Sequence, residues 1–156
     1  GRKRIVFLGE ANNHYPEFND RYLGYLHAQE RAGLTPDPKL YRSAHTDKCG
    51  HDAVTQLMAE GASFDAIFAA SDLIALGAMR ALQEHGRDVP KDVSIVGFDD
   101  ILAASLARPP LTTVQQDYKR AGEVLVETLI GTIRAEALES SALPCKLVIR
   151  KSCGAK

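Results

Sequence analysis

The chain is 156 residues long, with 19 Lys and Arg against 20 Asp and Glu and a formal net charge of −1. Hydrophobic residues make up 45% and charged residues 25%, the balance of one soluble globular domain, which excludes a disordered tail, a collagen-like fibre and a membrane span. The near-neutral charge argues against a domain that grips phosphate backbones by itself, because such domains carry a basic excess.

Apolar runs of strand length alternate with segments of helical period. Ile5-Val6-Phe7-Leu8 is a buried strand preceded by Arg2-Lys3-Arg4, which reads as a solvated flank, and followed by Gly9. Four apolar residues are too few for a signal-peptide core, so the start is expected to be the interior of a longer protein. Asn19 to Ala32 reads as a helix with Gly24, Tyr25, Ala28 and Ala32 on one face, stopped by Gly33 and by Pro36 and Pro38. Leu40-Tyr41 is a short strand. Asp47 to Glu60 reads as a helix with Ala53, Val54, Leu57 and Met58 facing inward, closed by Gly61. Ala66 to Ala70 is the next strand, and Ser71 or Asp72 can cap a helix that runs to about His85 with Ile74, Ala78, Ala81 and Leu82 inward. Val93–Val96 and Thr112–Val114 are strands, Asp117 to Ala137 reads as a long helix with Ala121, Leu125, Thr128, Leu129 and Ile133 on one face, and Lys146–Ile149 is a last strand.

Alternating strands and helices of this kind predict an α/β fold: a parallel sheet with helices on both faces, its strands apolar throughout because both faces are covered. In such sheets ligands bind outside the carboxyl ends of the strands. The residues that follow the strands are Glu10, Asn12, Asn13, His14 and Tyr15, with Arg21 opening the next helix; then Ser43, His45 and Asp47; Ser71 and Asp72; Asp99 and Asp100; and Gln115, Gln116 and Asp117. Carboxylates, amides and one guanidinium around one rim suit a small molecule with many hydroxyl groups. A lone Asp in such a loop serves equally as a cap or turn former, and His45 alone reads as readily as a surface residue.

Other chemistries fare less well. His45, Asp47, Cys49 and His51 resemble a zinc spacing, but every second residue on a helix turns by ~200°, so the four do not converge on one ion. The Asp99-Asp100 pair has no nucleophile or base at local spacing, which leaves an enzyme using Asp99 or Asp100 with His45 as the weakest reading. Gly9 is followed by Glu10 and Ala11, so there is no glycine-rich phosphate loop, and no cofactor or metal is expected. The three cysteines, Cys49, Cys145 and Cys153, are odd in number and irregular in spacing, which fits a reducing cytoplasm rather than a disulfide framework.

Three linked segments are more specific: Ala66-Ile67-Phe68-Ala69-Ala70-Ser71-Asp72-Leu73-Ile74-Ala75-Leu76-Gly77-Ala78, then Val89-Pro90-Lys91-Asp92-Val93-Ser94-Ile95-Val96-Gly97-Phe98-Asp99-Asp100, then Arg108-Pro109-Pro110-Leu111-Thr112-Thr113-Val114-Gln115-Gln116. In this order they resemble the C-terminal half of the effector-binding region of the lactose-repressor (LacI/GalR) family of transcription regulators. Arg21 to Tyr25 is similar to the family's arginine-containing helix start, and Arg150 to Cys153 to its closing strand.

The resemblance implies one lobe, residues 1–156, of a bilobed fold like that of periplasmic sugar-binding proteins, with residues 117–145 belonging to the first lobe of the complete protein. It implies effector contacts at Arg21, His45, Ser71, Asp99, Gln116 and Tyr118. Ser71 departs from the family's frequent Asn, which leaves the effector's identity open between a sugar or polyol, favoured here, and a purine. It implies a homodimer through Leu76, Met79, Arg80, Ala103, Ala104 and Ala107, with core packing as the alternative for Leu76 and Met79. Operator DNA would be bound only through an N-terminal helix-turn-helix outside this chain, and no membrane is involved. The apolar face of the 117–137 helix is expected either to fold back on this lobe or to pair with a second copy. A periplasmic solute-binding protein is the rival with the same fold.

Overall fold

The structure, a computed structural model, describes residues 1–11, 15–38, 41–42, 45–137 and 139–155. Asn12, Asn13, His14, Leu40 and Ser43, considered above from the sequence, lie outside the described residues. The elements in chain order are β1 (Ile5–Leu8), α1 (Pro16–Arg31), β2 (Tyr41–Arg42), α2 (Asp47–Ala59), β3 (Ala66–Ala69), α3 (Asp72–Glu84), β4 (Ser94–Val96), α4 (Leu102–Leu106), β5 (Thr113–Gln116), α5 (Tyr118–Ile133) and β6 (Cys145–Val148). α1 starts at Pro16, three residues before the expected Asn19, because proline's fixed φ and missing N–H suit the first helical position.

β1 to β4 form one parallel sheet in the order β2-β1-β3-β4. Since the order reverses at β1, right-handed crossovers place α1 on one face and α2 and α3 on the other. Phe7 of β1 meets Tyr22 and Tyr25 of α1 with ring centroids 5.1 and 5.5 Å apart. On the opposite face Val54 and Leu57 of α2 and Ile74, Ala78 and Leu82 of α3 are fully buried with Val6 and Leu8. The α1 face is only partly covered: a groove of about 800 Å³ runs between α1 and the sheet, lined by Tyr25, Ala28, Phe68, Val96 and Phe98 and reaching Arg21 and Gln116 at one end.

The sheet departs from the expected pattern at its end. β5 extends two residues past Val114 and pairs antiparallel with β6 in a separate two-stranded ribbon. Only isolated parallel bridges, Val96 to Thr112 and Asp99 to Gln115, join β5 to β4 and the loop after it. The turn after β4 bends the chain away before a regular ladder can form. Arg2 is also not a solvated flank: its guanidinium donates to the carbonyls of Pro90, Lys91 and Asp92 at 2.5, 2.8 and 3.1 Å, pinning the loop that enters β4.

α5 ends at Ile133 and does not fold back on the lobe. Leu125, Val126, Leu129, Ile130 and Ile133 are 42–76% exposed, and within the helix only Gly131 is buried. This corrects the fold-back expectation. The ribbon carries the helix beyond the sheet edge, so that its start reaches the lobe through Tyr118 while the apolar residues from Leu125 onward stay exposed. No helix among the described residues is long and apolar enough to cross a membrane.

α2 and α3 pack at backbone contact. A Cβ on Gly50 would lie 2.3 Å from the Ile74 carbonyl oxygen, and one on Gly77 would lie 1.9 Å from that of Asp47. Backbone cannot yield as a flexible side chain can, so Gly77→Ala is expected to destabilise the fold by about 1–3 kcal/mol, read as a lower denaturation midpoint at unchanged m-value.

The same pair of helices carries an ionic clamp. His51 of α2 lies 2.7 Å from a Glu84 carboxylate oxygen of α3 and 3.4 Å from one of Asp52. The bond to Glu84, and then that to Asp52, raises the His51 pKa, while both carboxylates are held below their ordinary values chiefly by hydrogen bonds, from His51 to Glu84 and first from Lys48 to Asp52. A folded pKa above the unfolded one gives stability that is complete below the unfolded value of about 6.5 and is lost as pH rises through the folded value. His51→Gln should therefore lower the melting temperature around pH 5.5 and have much less effect at about pH 8.5.

Candidate functional site

The carboxyl ends of β3, β4 and β5 bring four of the six expected contact residues together. Arg21, in the second turn of α1, donates to the carbonyl of Ala70 at 2.5 Å and lies 3.9 Å from a carboxylate oxygen of Asp99. Its guanidinium carbon sits 3.9 Å above the Phe98 ring and 5.3 Å from that of Phe18. Stacking on one ring while bonded to a carbonyl fixes the plane of the fork and leaves other N–H groups for a ligand. Gln116 donates to Asp99 Oδ1 at 3.1 Å, and the Tyr118 hydroxyl donates to the Asp99 carbonyl at 2.9 Å.

Asp99 is the centre of this cluster. It and Asp100 both have positive φ, 115° and 54°, which for residues other than glycine costs of order 1–3 kcal/mol each. The turn sends the two side chains to different places. Asp99 faces Arg21 and Gln116, whereas Asp100 binds Arg150 at 2.6 Å and accepts from Gln115 at 2.9 Å. Burial raises the Asp99 pKa, opposed first by the Arg21 charge and then by the Gln116 bond. Tyr118 is likewise shifted upward, by burial and then by the charge of Asp99.

Beneath this cluster lies a residue that the sequence offered both as part of the polar rim and as a cap or turn former. Asp72 is fully buried. Its Oδ1 accepts from the Thr113 hydroxyl at 2.6 Å and its Oδ2 from the Ile101 amide at 2.9 Å, while its own amide donates to the Phe98 carbonyl at 2.7 Å. The only sequence signal for it was its position at a strand end, shared with Ser71.

The remaining expected contacts are placed differently. Ser71 is buried and its hydroxyl caps α3, accepting from the Ile74 amide at 3.4 Å. Its neighbour Ala70 supplies the carbonyl that receives Arg21. His45 forms an ion pair with Glu10 and lies against Tyr15, ring centroids 4.9 Å apart. Of the expected dimer residues, Met79 and Ala104 are 3% and 0% exposed and sit in the core, because α3 turns Met79 inward with Ala75 and Ala78. Leu76 is half-buried, Arg80 and Ala103 are exposed, and Ala107 is half-buried. The apolar surface there is made instead by Leu73, Leu102 and Leu106, 50%, 77% and 71% exposed. Gln83 ties the two segments together by donating to the Arg108 carbonyl at 2.8 Å. Among the described residues no group of three or more His, Cys, Asp or Glu is placed to hold a metal ion.

A parallel α/β lobe with a polar cluster at the carboxyl edge, and a two-stranded ribbon leading to an exposed helix, is an architecture of the periplasmic-binding-protein-like class. The chain belongs to the periplasmic binding protein-like domain family, which matches residues 1–153, and its curated relatives include HTH-type transcription regulators. It is 36% identical over 97% of its length to the HTH-type transcriptional regulator RegA of Clostridium saccharobutylicum, and 35% identical, over the same share, to the HTH-type transcriptional repressor PurR of Haemophilus influenzae. It spans about half the length of these curated relatives, 47% of each. Among solved structures, a lac repressor dimer bound to operator and the anti-inducer ONPF matches 99% of this chain with 47% of its own, at TM-score 0.91 and 32% identity. A transcriptional regulator CelR–cellobiose complex matches 97% of this chain with 47% of its own, at TM-score 0.90 and 34% identity.

Because burial outweighs the Arg21 attraction, Asp99 binds a proton more readily folded than unfolded. The stability it contributes therefore falls as pH rises from the unfolded value of about 3.9 through the raised folded value. Asp99→Asn is expected to keep or raise the melting temperature at neutral pH and to flatten its acid-range slope. A lower melting temperature at neutral pH would contradict this.

Proposed function

We propose that this chain is the effector-sensing and dimerisation lobe of a cytoplasmic transcription regulator, with Arg21, Asp99, Gln116 and Tyr118 as its half of the effector site. The observation that carries this is the gathering of Arg21, Gln116 and Tyr118 around Asp99, the first two at its carboxylate and Tyr118 at its backbone carbonyl, at the carboxyl edge of a lobe whose relatives are HTH-type regulators. Operator binding belongs to a helix-turn-helix elsewhere in the complete protein. A periplasmic solute-binding protein has the same fold, but the relatives named above are regulators, and they are not enzymes.

The favoured effector is a sugar or related polyol. Asp99 and Gln116 can accept from neighbouring hydroxyls while Arg21 donates back, and the CelR–cellobiose complex supports the same class. A purine is the second reading, because the Tyr118 ring, 58% exposed, offers a stacking face. Residues 117–145 belong with the first lobe: the exposed apolar face of α5 is what such a lobe would bury. Effector contact from both lobes shifts the balance between lobe arrangements and so the spacing of the DNA-binding heads. Two copies would meet through Leu73, Leu76, Arg80, Leu102, Ala103, Leu106 and Ala107.

Isothermal titration of the complete regulator with mono- and disaccharides, polyols and purine bases tests this reading. A sugar or polyol is expected to bind, with Asp99→Ala and Arg21→Ala each weakening it by at least about tenfold. Residues 1–156 alone are expected to bind weakly or not at all. Nanomolar binding to the isolated lobe would overturn the two-lobe reading, and purine binding would overturn the sugar preference. In sedimentation, Leu102→Glu is expected to shift a dimer toward monomer.

A further inference from the structure

The chain crosses the edge of this lobe twice, outward along β5 and back after β6, and both passes meet at Asp100. The outgoing pass supplies Gln115, which donates to Asp100 Oδ2 at 2.9 Å. The returning pass supplies Arg150, whose guanidinium reaches Asp100 Oδ1 at 2.6 Å and the Leu111 carbonyl at 2.8 Å. The Arg150 amide also donates to the Thr112 hydroxyl at 2.8 Å. The next residues stitch the return into the core: the Ser152 hydroxyl donates to the Ile95 carbonyl at 2.6 Å and accepts from the Thr112 amide at 2.8 Å. Asp100 and Arg150 side chains are only 9% and 19% exposed, so their charges are largely shielded from water and salt.

This places a paired, shielded carboxylate one peptide bond from Asp99. A left-handed φ at two successive non-glycine residues persists only where the surroundings over-determine it. On the Asp99 side the backbone is held by its amide to the Val114 carbonyl at 2.9 Å and by Tyr118. On the Asp100 side the charged partner is Arg150, whose second guanidinium nitrogen holds the Leu111 carbonyl. We propose that Arg150 is a positioning residue: through Asp100 it holds Asp99 in its left-handed conformation, so that the carboxylate facing the effector moves with the β5–β6 ribbon as one body. This rests on the reading that Asp99 contacts the effector. In a two-lobed regulator it would give a bound effector a direct mechanical hold on the strands that join the lobes.

The test needs no effector, so its failure is separable from failure of the effector reading. Carboxyl carbon NMR of the 156-residue chain labelled at aspartate, with the Asp99 signal assigned by its loss in Asp99→Asn, reads the environment of that side chain. In Arg150→Met the Asp99 titration midpoint is expected to fall toward the ordinary carboxylate value of about 3.9, and the Asp99 and Tyr118 amide signals are expected to move. Arg150→Lys should restore part of the shift, and Asp100→Asn should reproduce its direction. Arg42→Met, which breaks a distant ion pair to Glu60, should leave the Asp99 signals in place. If Arg150→Met does not fold, Asp100→Asn and Arg150→Lys carry the same readout. A folded Arg150→Met with unchanged Asp99 and Tyr118 signals overturns the proposal, and so does a shift that Asp100→Asn fails to reproduce.

Discussion

Asp72 stands at the start of α3 with both carboxylate oxygens bonded and no exposure to water. It joins three parts of the chain that are far apart in sequence: the helix after β3, the loop that follows β4, and β5 through Thr113. Removing the carboxylate would leave the Thr113 hydroxyl proton and the Ile101 amide without their acceptors, which costs more than the bonds contributed. The chain leaves room for it by having glycine at position 97, where a Cβ would come 2.3 Å from Asp72 Oδ1. The Phe98–Ile101 turn, and with it the geometry of Asp99, is built on that carboxylate.

From this support the site follows in layers. Asp72 fixes the two ends of the turn, Asp100 ties its middle to the ribbon, and Asp99 is left to face Arg21 and Gln116. The charges are shared out so that each carboxylate has a different partner. Asp72 has only neutral donors, Asp100 has a close guanidinium, and Asp99 has a guanidinium 3.9 Å away. Asp99 is therefore the least satisfied of the three, and the one with capacity to accept from an incoming hydroxyl. The arrangement stores strain at the turn that carries Asp99 and offsets it with buried bonds beneath.

The fold's two faces are unequal in the same practical sense. α2 and α3 meet through Gly50 and Gly77 with backbone almost touching, which makes that side rigid. The α1 side keeps an open apolar groove, and α5 keeps an open apolar face. An α/β lobe with this much uncovered apolar surface reads as part of a larger assembly, consistent with a chain about half as long as its curated relatives.

Much of this was legible without coordinates. Runs such as Ile5–Leu8 and Ala66–Ala70 are apolar on both sides, the pattern of a doubly covered parallel strand, so a parallel sheet with helices on both faces could be anticipated. Residue type at the strand ends gave a long polar rim, and only the family resemblance narrowed it to Arg21, Asp99 and Gln116 with His45, Ser71 and Tyr118. Spacing alone could not distinguish Asp72 from Ser71, because neighbours of like chemistry differ only in where the backbone turns them, and Asp99 was set apart from Asp100 by the resemblance. Nor could periodicity show that Met79 and Ala104 lie in the core while Leu102 and Leu106 do not, since a short helix has apolar residues on both sides. Local propensity and alternation belong to the chain and can be read from it. The pairing of Arg150 with Asp100, 50 residues apart, and the positive φ values at Asp99 and Asp100 are decided by long-range contacts and exist only once the fold has closed.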